Sequence, residues 1–201
     1  MLQIVKIDSL LKLVAVATVV ISTALYYVAH RFWFPEWTMY KVITISAIVS
    51  AMLIGCLTSV SVSRWIWAFA RLFNKALFPD LNGTWEGTIE TATKQVLQIR
   101  ATIRQSLLST QIDVHGETVK SLTLSATPAV EQGQHRLYYV YLADPKSPER
   151  GPYKGTTTFS VRVNDNGHLE LTGTYYTDRK MSGAVGLQQV GTDPSKDVSF
   201  Y

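Results

Sequence analysis

The stretch Pro79-Asp80-Leu81-Asn82-Gly83-Thr84-Trp85-Glu86-Gly87 divides the chain into two regimes. Pro79 cannot continue a helix, and Asn82-Gly83 carries the turn chemistry that lets a chain enter a strand. On the N-terminal side the sequence is apolar, aromatic and basic. On the C-terminal side hydrophobicity falls into two-residue alternation broken by turn residues, the pattern of half-buried antiparallel strands. The 201 residues therefore read as a membrane segment over 1–79, a soluble β domain over 80–190 and a mobile tail over 191–201.

Charge divides at the same point. Residues 1–79 hold seven Lys/Arg and two Asp/Glu, while residues 80–201 hold twelve and thirteen. The two parts carry +5 and −1, which together make the formal +4. The basic balance is a membrane signal, because a domain that binds a nucleic-acid polymer needs a basic patch and this β domain is close to neutral. The lone cysteine, Cys56, lies in an apolar run, so there is no disulfide framework.

Upstream of the junction, Leu13–Ala29 gives seventeen consecutive uncharged residues, extended to about residue 10 if Lys12 snorkels. Val42–Ser63 gives twenty-two more. Each is long enough to cross roughly 30 Å of hydrocarbon as a helix, so spans are expected at 10–29 and 42–63. Ser22-Thr23-Ala24 has a small-x-small cleavage pattern, but Leu25-Tyr26-Tyr27-Val28 continues the apolar run past it, which favours a span over a leader. The linker around Pro35 carries Phe32, Trp33, Phe34, Trp37 and Tyr40, an aromatic-belt composition. Lys6, Lys12, Arg64, Arg71 and Lys75 flank the hairpin, and only Arg31 and Lys41 lie within it, so both termini are expected in the cytoplasm. Arg64–Lys75 mixes aromatics and cations as a juxtamembrane helix does. Ala47, Ala51, Gly55 and Ser59 recur every four residues in the second span. Such a row serves packing against the first span, association between copies, or neither.

Downstream, eight strands are expected, at about 84–91, 95–105, 107–115, 118–126, 135–143, 154–163, 167–177 and 181–190. Asn164-Asp165-Asn166-Gly167 is a strong hairpin signal. Eight short antiparallel strands joined by hairpins favour an up-and-down, lipocalin-like barrel, wide enough for one small ligand. Gly83-Thr84-Trp85 matches the Gly-x-Trp opening of such barrels, in which the indole closes the floor.

No catalytic signature appears. The histidines His30, His115, His135 and His168 lack metal-ligand spacing, and there is no phosphate loop, nucleophile elbow or carboxylate pair on a recognisable scaffold. A non-enzyme without cofactor or metal is expected. Chemistry for binding collects in Gly173-Thr174-Tyr175-Tyr176-Thr177-Asp178-Arg179-Lys180-Met181-Ser182-Gly183. Tyrosine faces stack on bases, and arginine offers phosphate a planar fork.

Taken together, the two spans, the aromatic-basic neck, the Pro79–Gly87 entry and the Gly173–Arg179 segment resemble the CD-NTase-associated membrane β-barrel effectors of bacterial CBASS anti-phage systems. The resemblance covers essentially all 201 residues. It implies a cytoplasmic barrel that senses a cyclic dinucleotide made by a partner nucleotidyltransferase. It further implies a homo-oligomer on activation, disruption of the inner membrane and death of the infected cell. Tyr139, Tyr141, Tyr175, Tyr176, Thr177 and Arg179 are the expected ligand residues, with Arg100 and Arg104 as weaker choices. The alternative is a membrane-tethered barrel for a lipid or apolar small molecule. The two differ in the polarity of the interior, since a nucleotide needs several inward polar groups and a lipid almost none.

Overall fold

The computed structural model describes residues 7–32, 39–59, 62, 65, 69, 78–106, 109–147, 149–164 and 166–198. It falls into two compact units divided between Asn74 and Lys75.

The N-terminal unit holds α1 (Ile7–Phe32) and α2 (Met39–Thr58). Lys12–Phe32, with mean hydropathy 1.8, is long and apolar enough to cross a bilayer, whereas the apolar stretch of α2 is the shorter Ile43–Cys56. The aromatic linker at 33–38, three of the last four residues of the second expected span, and the Arg64–Lys75 neck apart from Trp65 and Phe69 lie outside the described residues. The helices meet through small and β-branched side chains: Ser22, Ala29 and Val49 are buried. Ser50 Oγ donates to the Ser46 carbonyl at 2.8 Å and sits 3.4 Å from Thr18 Oγ1 on α1. By contrast Ala47, Ala51 and Gly55 are exposed and Ser59 is half-buried. A Cβ at Gly55 would meet nothing within 4 Å. Three of the four small residues are thus not buried against α1.

The C-terminal unit is a closed barrel of β1 (Gly83–Thr91), β2 (Val96–Gln105), β3 (Thr110–Gly116), β4 (Val119–Glu131), β5 (Gln134–Pro145), β6 (Tyr153–Val163), β7 (Leu169–Thr177) and β8 (Ser182–Gly191). Each strand pairs antiparallel with the next, and β8 returns to β1 through Thr91↔Gly183 to Thr84↔Gly191. The alternation that marks these strands in sequence places one residue in two inside. Trp85, Ile103, Ile112, Leu137 and Leu171 are completely excluded from solvent, as core packing requires.

One strand departs from expectation. β4 runs through Pro128 to Glu131 rather than stopping near Ala126. Its pairing with β3 consists of Val114↔Ser121 and His115↔Lys120 among the described residues, while its pairing with β5 spans Val119 to Glu131. Pro128 is tolerated because only one side of the strand carries a ladder there. A bulge between Thr123 and Ser125 interrupts the ladder with β5, and on the other side of the strand the Thr123 hydroxyl ties β4 to β3. That hydroxyl accepts from Ile112 N–H and donates to the Ile112 carbonyl, both at 2.7 Å, replacing a backbone pair.

The junction segment is pinned to the barrel end where the chain enters. Asn82 is 4% exposed, and its amide takes the place of a strand residue: Oδ1 accepts from Gln105 N–H at 2.8 Å and Nδ2 donates to the Gln105 carbonyl at 2.9 Å. The Gln105 side chain answers by accepting from Leu81 N–H at 2.8 Å. Trp85 Nε1 donates to the Leu81 carbonyl at 3.1 Å, and Gln189 Nε2 donates to the Asn82 carbonyl at 2.8 Å. Phe78 is buried here and meets His135 edge-on at 5.4 Å. Removing the Asn82 amide leaves a buried N–H and a buried C=O without partners, at roughly 1–3 kcal/mol each when uncompensated. Asn82→Ala is therefore expected to destabilise the barrel by about 2–6 kcal/mol in chemical denaturation of the detergent-solubilised protein. An unchanged midpoint would show that the clamp contributes nothing.

A tyrosine-lined pocket at the open end of the barrel

Up-and-down topology sends alternate loops to opposite ends. The chain entry and the β2–β3, β4–β5 and β6–β7 turns lie at one end, and the β1–β2, β3–β4, β5–β6 and β7–β8 loops at the other. At this second end the interior is hollow, with a cavity of about 730 Å³. That is within the range of small-molecule sites. Phe159 and Leu187 line it, whereas Trp85, Ile103, Ile112, Leu137 and Leu171 are absent from its lining and fill the barrel below.

One wall is tyrosine. Tyr139 and Tyr141 on β5, Tyr153 on β6 and Tyr175 on β7 all face inward. The ring centroids of Tyr139 and Tyr141 lie 5.1 Å apart, stacked at 26°. Tyr139 is 2% exposed and its hydroxyl is used within the protein, donating to the Ile112 carbonyl at 2.8 Å and lying 3.1 Å from Ser121 Oγ. Burial raises the Tyr139, Tyr141, Tyr153 and Tyr175 phenols above their ordinary value. They are neutral at physiological pH, acting as aromatic faces and hydroxyl donors rather than as charges.

Two glycines explain why these rings do not fill the space they line. Tyr141 is paired across strands with Gly155, and Tyr175 with Gly183. A Cβ on Gly155 would fall 2.7 Å from Tyr141 Cε2 and closer still to Cζ and Oη. A Cβ on Gly183 would fall 2.7 Å from Tyr175 Cε1 and also strike the Glu90 carbonyl of β1. Each ring lies flat in the gap its partner leaves.

The rim is built on the β7–β8 turn. Thr177 staples it: its N–H and hydroxyl both meet the Met181 carbonyl, at 2.9 and 3.3 Å, and its Oγ1 accepts from Met181 N–H at 3.1 Å. Asp178 N–H donates to the Lys154 carbonyl at 3.0 Å, and its carboxylate accepts from Lys154 N–H at 2.9 Å. This ties the turn to β6 and carries Arg179 over the mouth. The Arg179 guanidinium lies 4.6 Å from the Tyr153 ring centroid and donates to the Gly151 carbonyl. A guanidinium has five N–H donors, so others are left for a ligand.

Of the residues singled out by sequence, Tyr139, Tyr141, Tyr175, Thr177 and Arg179 come together in this pocket. Tyr176 does not: it follows Tyr175 on the strand, points outward and is 58% exposed. Arg100 and Arg104 also lie on the outer face, paired with Glu86 at 3.2 Å and Asp113 at 2.6 Å. Sequence reasoning missed Tyr153, Arg150 and Gly155, and gave Gly183, the last residue of the Gly173–Gly183 stretch, no role. Tyr153 sits at the edge of a proline-rich loop, although its two-residue spacing from Gly155 and Thr157 marks it as inward. Polar groups are well represented in the lining, with Thr91, Gln95, Ser121, Thr157, Arg150 and Lys146 beside the tyrosines. Among the described residues, no group of three or more His, Cys, Asp or Glu is placed to hold a metal ion.

Comparison with known proteins agrees with this geometry. The chain is similar to CD-NTase-associated protein 15 of Staphylococcus schleiferi, 27% identical over 192 residues, which cover 92% of this chain and 98% of that protein. Residues 76–189, from just before the junction into the barrel's final strand, β8, match the family described as Cap15, cyclic dinucleotide receptor domain. The chain, with its closed eight-stranded barrel and tyrosine-and-arginine mouth matched over all but the last two residues of β8, belongs to the Cap15 cyclic dinucleotide receptor domain family.

Proposed function

We propose that the protein is a membrane-anchored effector of bacterial anti-phage immunity of the CBASS type. Its barrel binds a cyclic dinucleotide made by a partner CD-NTase, and it catalyses no reaction of its own. The observation that carries this reading is the inward wall of Tyr139, Tyr141, Tyr153 and Tyr175 beneath Arg179. Aromatic faces suit bases, and a guanidinium suits phosphate. The polar groups beside this wall, Thr91, Gln95, Lys146 and Arg150, weigh against an apolar ligand, which gains nothing from them and costs their desolvation on binding.

The membrane half supports a second step. We place both helices across the inner membrane with both termini in the cytoplasm, as the cations flanking the hairpin favour. Ligand binding then promotes self-association, which disrupts the membrane and kills the infected cell. The exposed row of Ala47, Ala51 and Gly55 offers a surface on which helices of separate copies approach closely. The ligand shifts assembly only by its differential affinity for the assembled state.

Two outcomes are expected. In thermal-shift titration of the detergent-solubilised protein, one cyclic dinucleotide raises the melting temperature, corresponding to about 2.7 kcal/mol at a hundredfold excess over Kd. Arg179→Ala and Tyr141→Ala each reduce that shift. A panel of cyclic dinucleotides that all fail, alongside fatty acids that succeed, would move the protein to the lipid-binding class. Gly55→Leu is expected to leave the thermal shift intact while reducing both ligand-induced cross-linking and leakage of dye from vesicles. Undiminished cross-linking in that variant would remove the small-residue row from the assembly.

A further inference from the structure

The pocket contains the same arrangement twice. In the β5–β6 hairpin, inward Tyr141 faces inward Gly155 across strands, and the connecting loop brings Arg150 to the pocket. In the β7–β8 hairpin, inward Tyr175 faces inward Gly183, and the connecting turn brings Arg179. In both cases the ring lies where the glycine has no side chain, one over β6 and the other over β8. These strands are two strand spacings apart, roughly 10 Å along the sheet. Tyr153 lies between the two rings in the chain of neighbouring strands and carries Arg179 over its face.

Building on the cyclic dinucleotide reading above, we propose that Tyr141 over Gly155 and Tyr175 over Gly183 are two stacking shelves, one for each base of the ligand, and that Gly155 and Gly183 are positioning residues that hold the shelves open. The shelves select a ligand with two planar heteroaromatic groups joined by a phosphate-bearing ring. A nucleotide with one base occupies a single shelf and binds far more weakly. The glycines affect the ligand through their tyrosines. The three atoms nearest a methyl group at 155 all belong to the far end of the Tyr141 side chain, so the ring is expected to swing into the cavity and the barrel to survive. A methyl group at 183 also meets the Glu90 carbonyl, so the second shelf is tested at Tyr175.

The test is calorimetric titration of the full-length protein in detergent with cyclic dinucleotides and, for comparison, 5′-AMP and cyclic AMP. Tyr141→Ala and Tyr175→Ala each weaken the bound cyclic dinucleotide by roughly 5- to 100-fold, the loss expected for one stacked base. Tyr141→Phe and Tyr175→Phe retain most of the affinity, because the ring is what the shelf supplies. Gly155→Ala melts close to wild type yet loses affinity as Tyr141→Ala does, and the double variant Gly155→Ala/Tyr141→Ala is no weaker than Tyr141→Ala alone. If Gly155→Ala binds like wild type, or its loss adds to that of Tyr141→Ala, the shelf assignment is overturned while the cyclic dinucleotide reading stands. The assignment also falls if Tyr141→Phe binds as poorly as Tyr141→Ala, a result that does not depend on the glycine variant folding. Wild-type protein that binds no cyclic dinucleotide overturns both.

Discussion

Closure of β8 onto β1 is the constraint from which the rest of the barrel follows. Closing eight strands leaves an interior about as wide as the side chains that fill it, so any hollow has to be built by withholding side chains. Here the two halves are built differently. Near the chain entry, Trp85, Ile103, Ile112, Leu137 and Leu171 occupy the interior completely. Toward the other end, glycines at 155 and 183 let tyrosine rings lie against the wall, and the space they vacate is the pocket. A solid lower half supports a hollow upper one.

The entry segment makes this division possible. Because the Asn82 amide pairs with the Gln105 backbone as another strand residue would, the residues just before β1 are part of the floor. Leu81 and Trp85 then close the floor from within, linked by the hydrogen bond from the indole to the Leu81 carbonyl. The ligand mouth is left at the opposite end, where the loops carry Arg150 and Arg179. The barrel thus keeps its chain entry and its pocket at opposite ends.

Much of this was legible in the sequence, for physical reasons that differ by element. Strand alternation and turn residues located all eight strands because period-two burial and hairpin chemistry are local properties. The end of β4 was not legible, because tolerance of Pro128 depends on which side of the strand lacks a partner. Adjacent Tyr175 and Tyr176 show the same limit: both are good stacking residues, and only register decides that the first faces in and the second out. The role of Gly155 was hidden because it depends on a cross-strand neighbour fourteen positions earlier, Tyr141. Arg100 and Arg104 shared a face with polar residues, and the structure pairs them there with Glu86 and Asp113.

The central claim is that a cyclic dinucleotide occupies the interior of the barrel rather than its surface. The structure of the protein with that ligand bound tests it most directly. The account predicts the ligand inside the mouth, with its bases against Tyr141 and Tyr175 and its phosphates within hydrogen-bond reach of Arg179. A ligand seated on the outer face, beside Tyr176 or Arg100, with the tyrosine pocket empty, would contradict it.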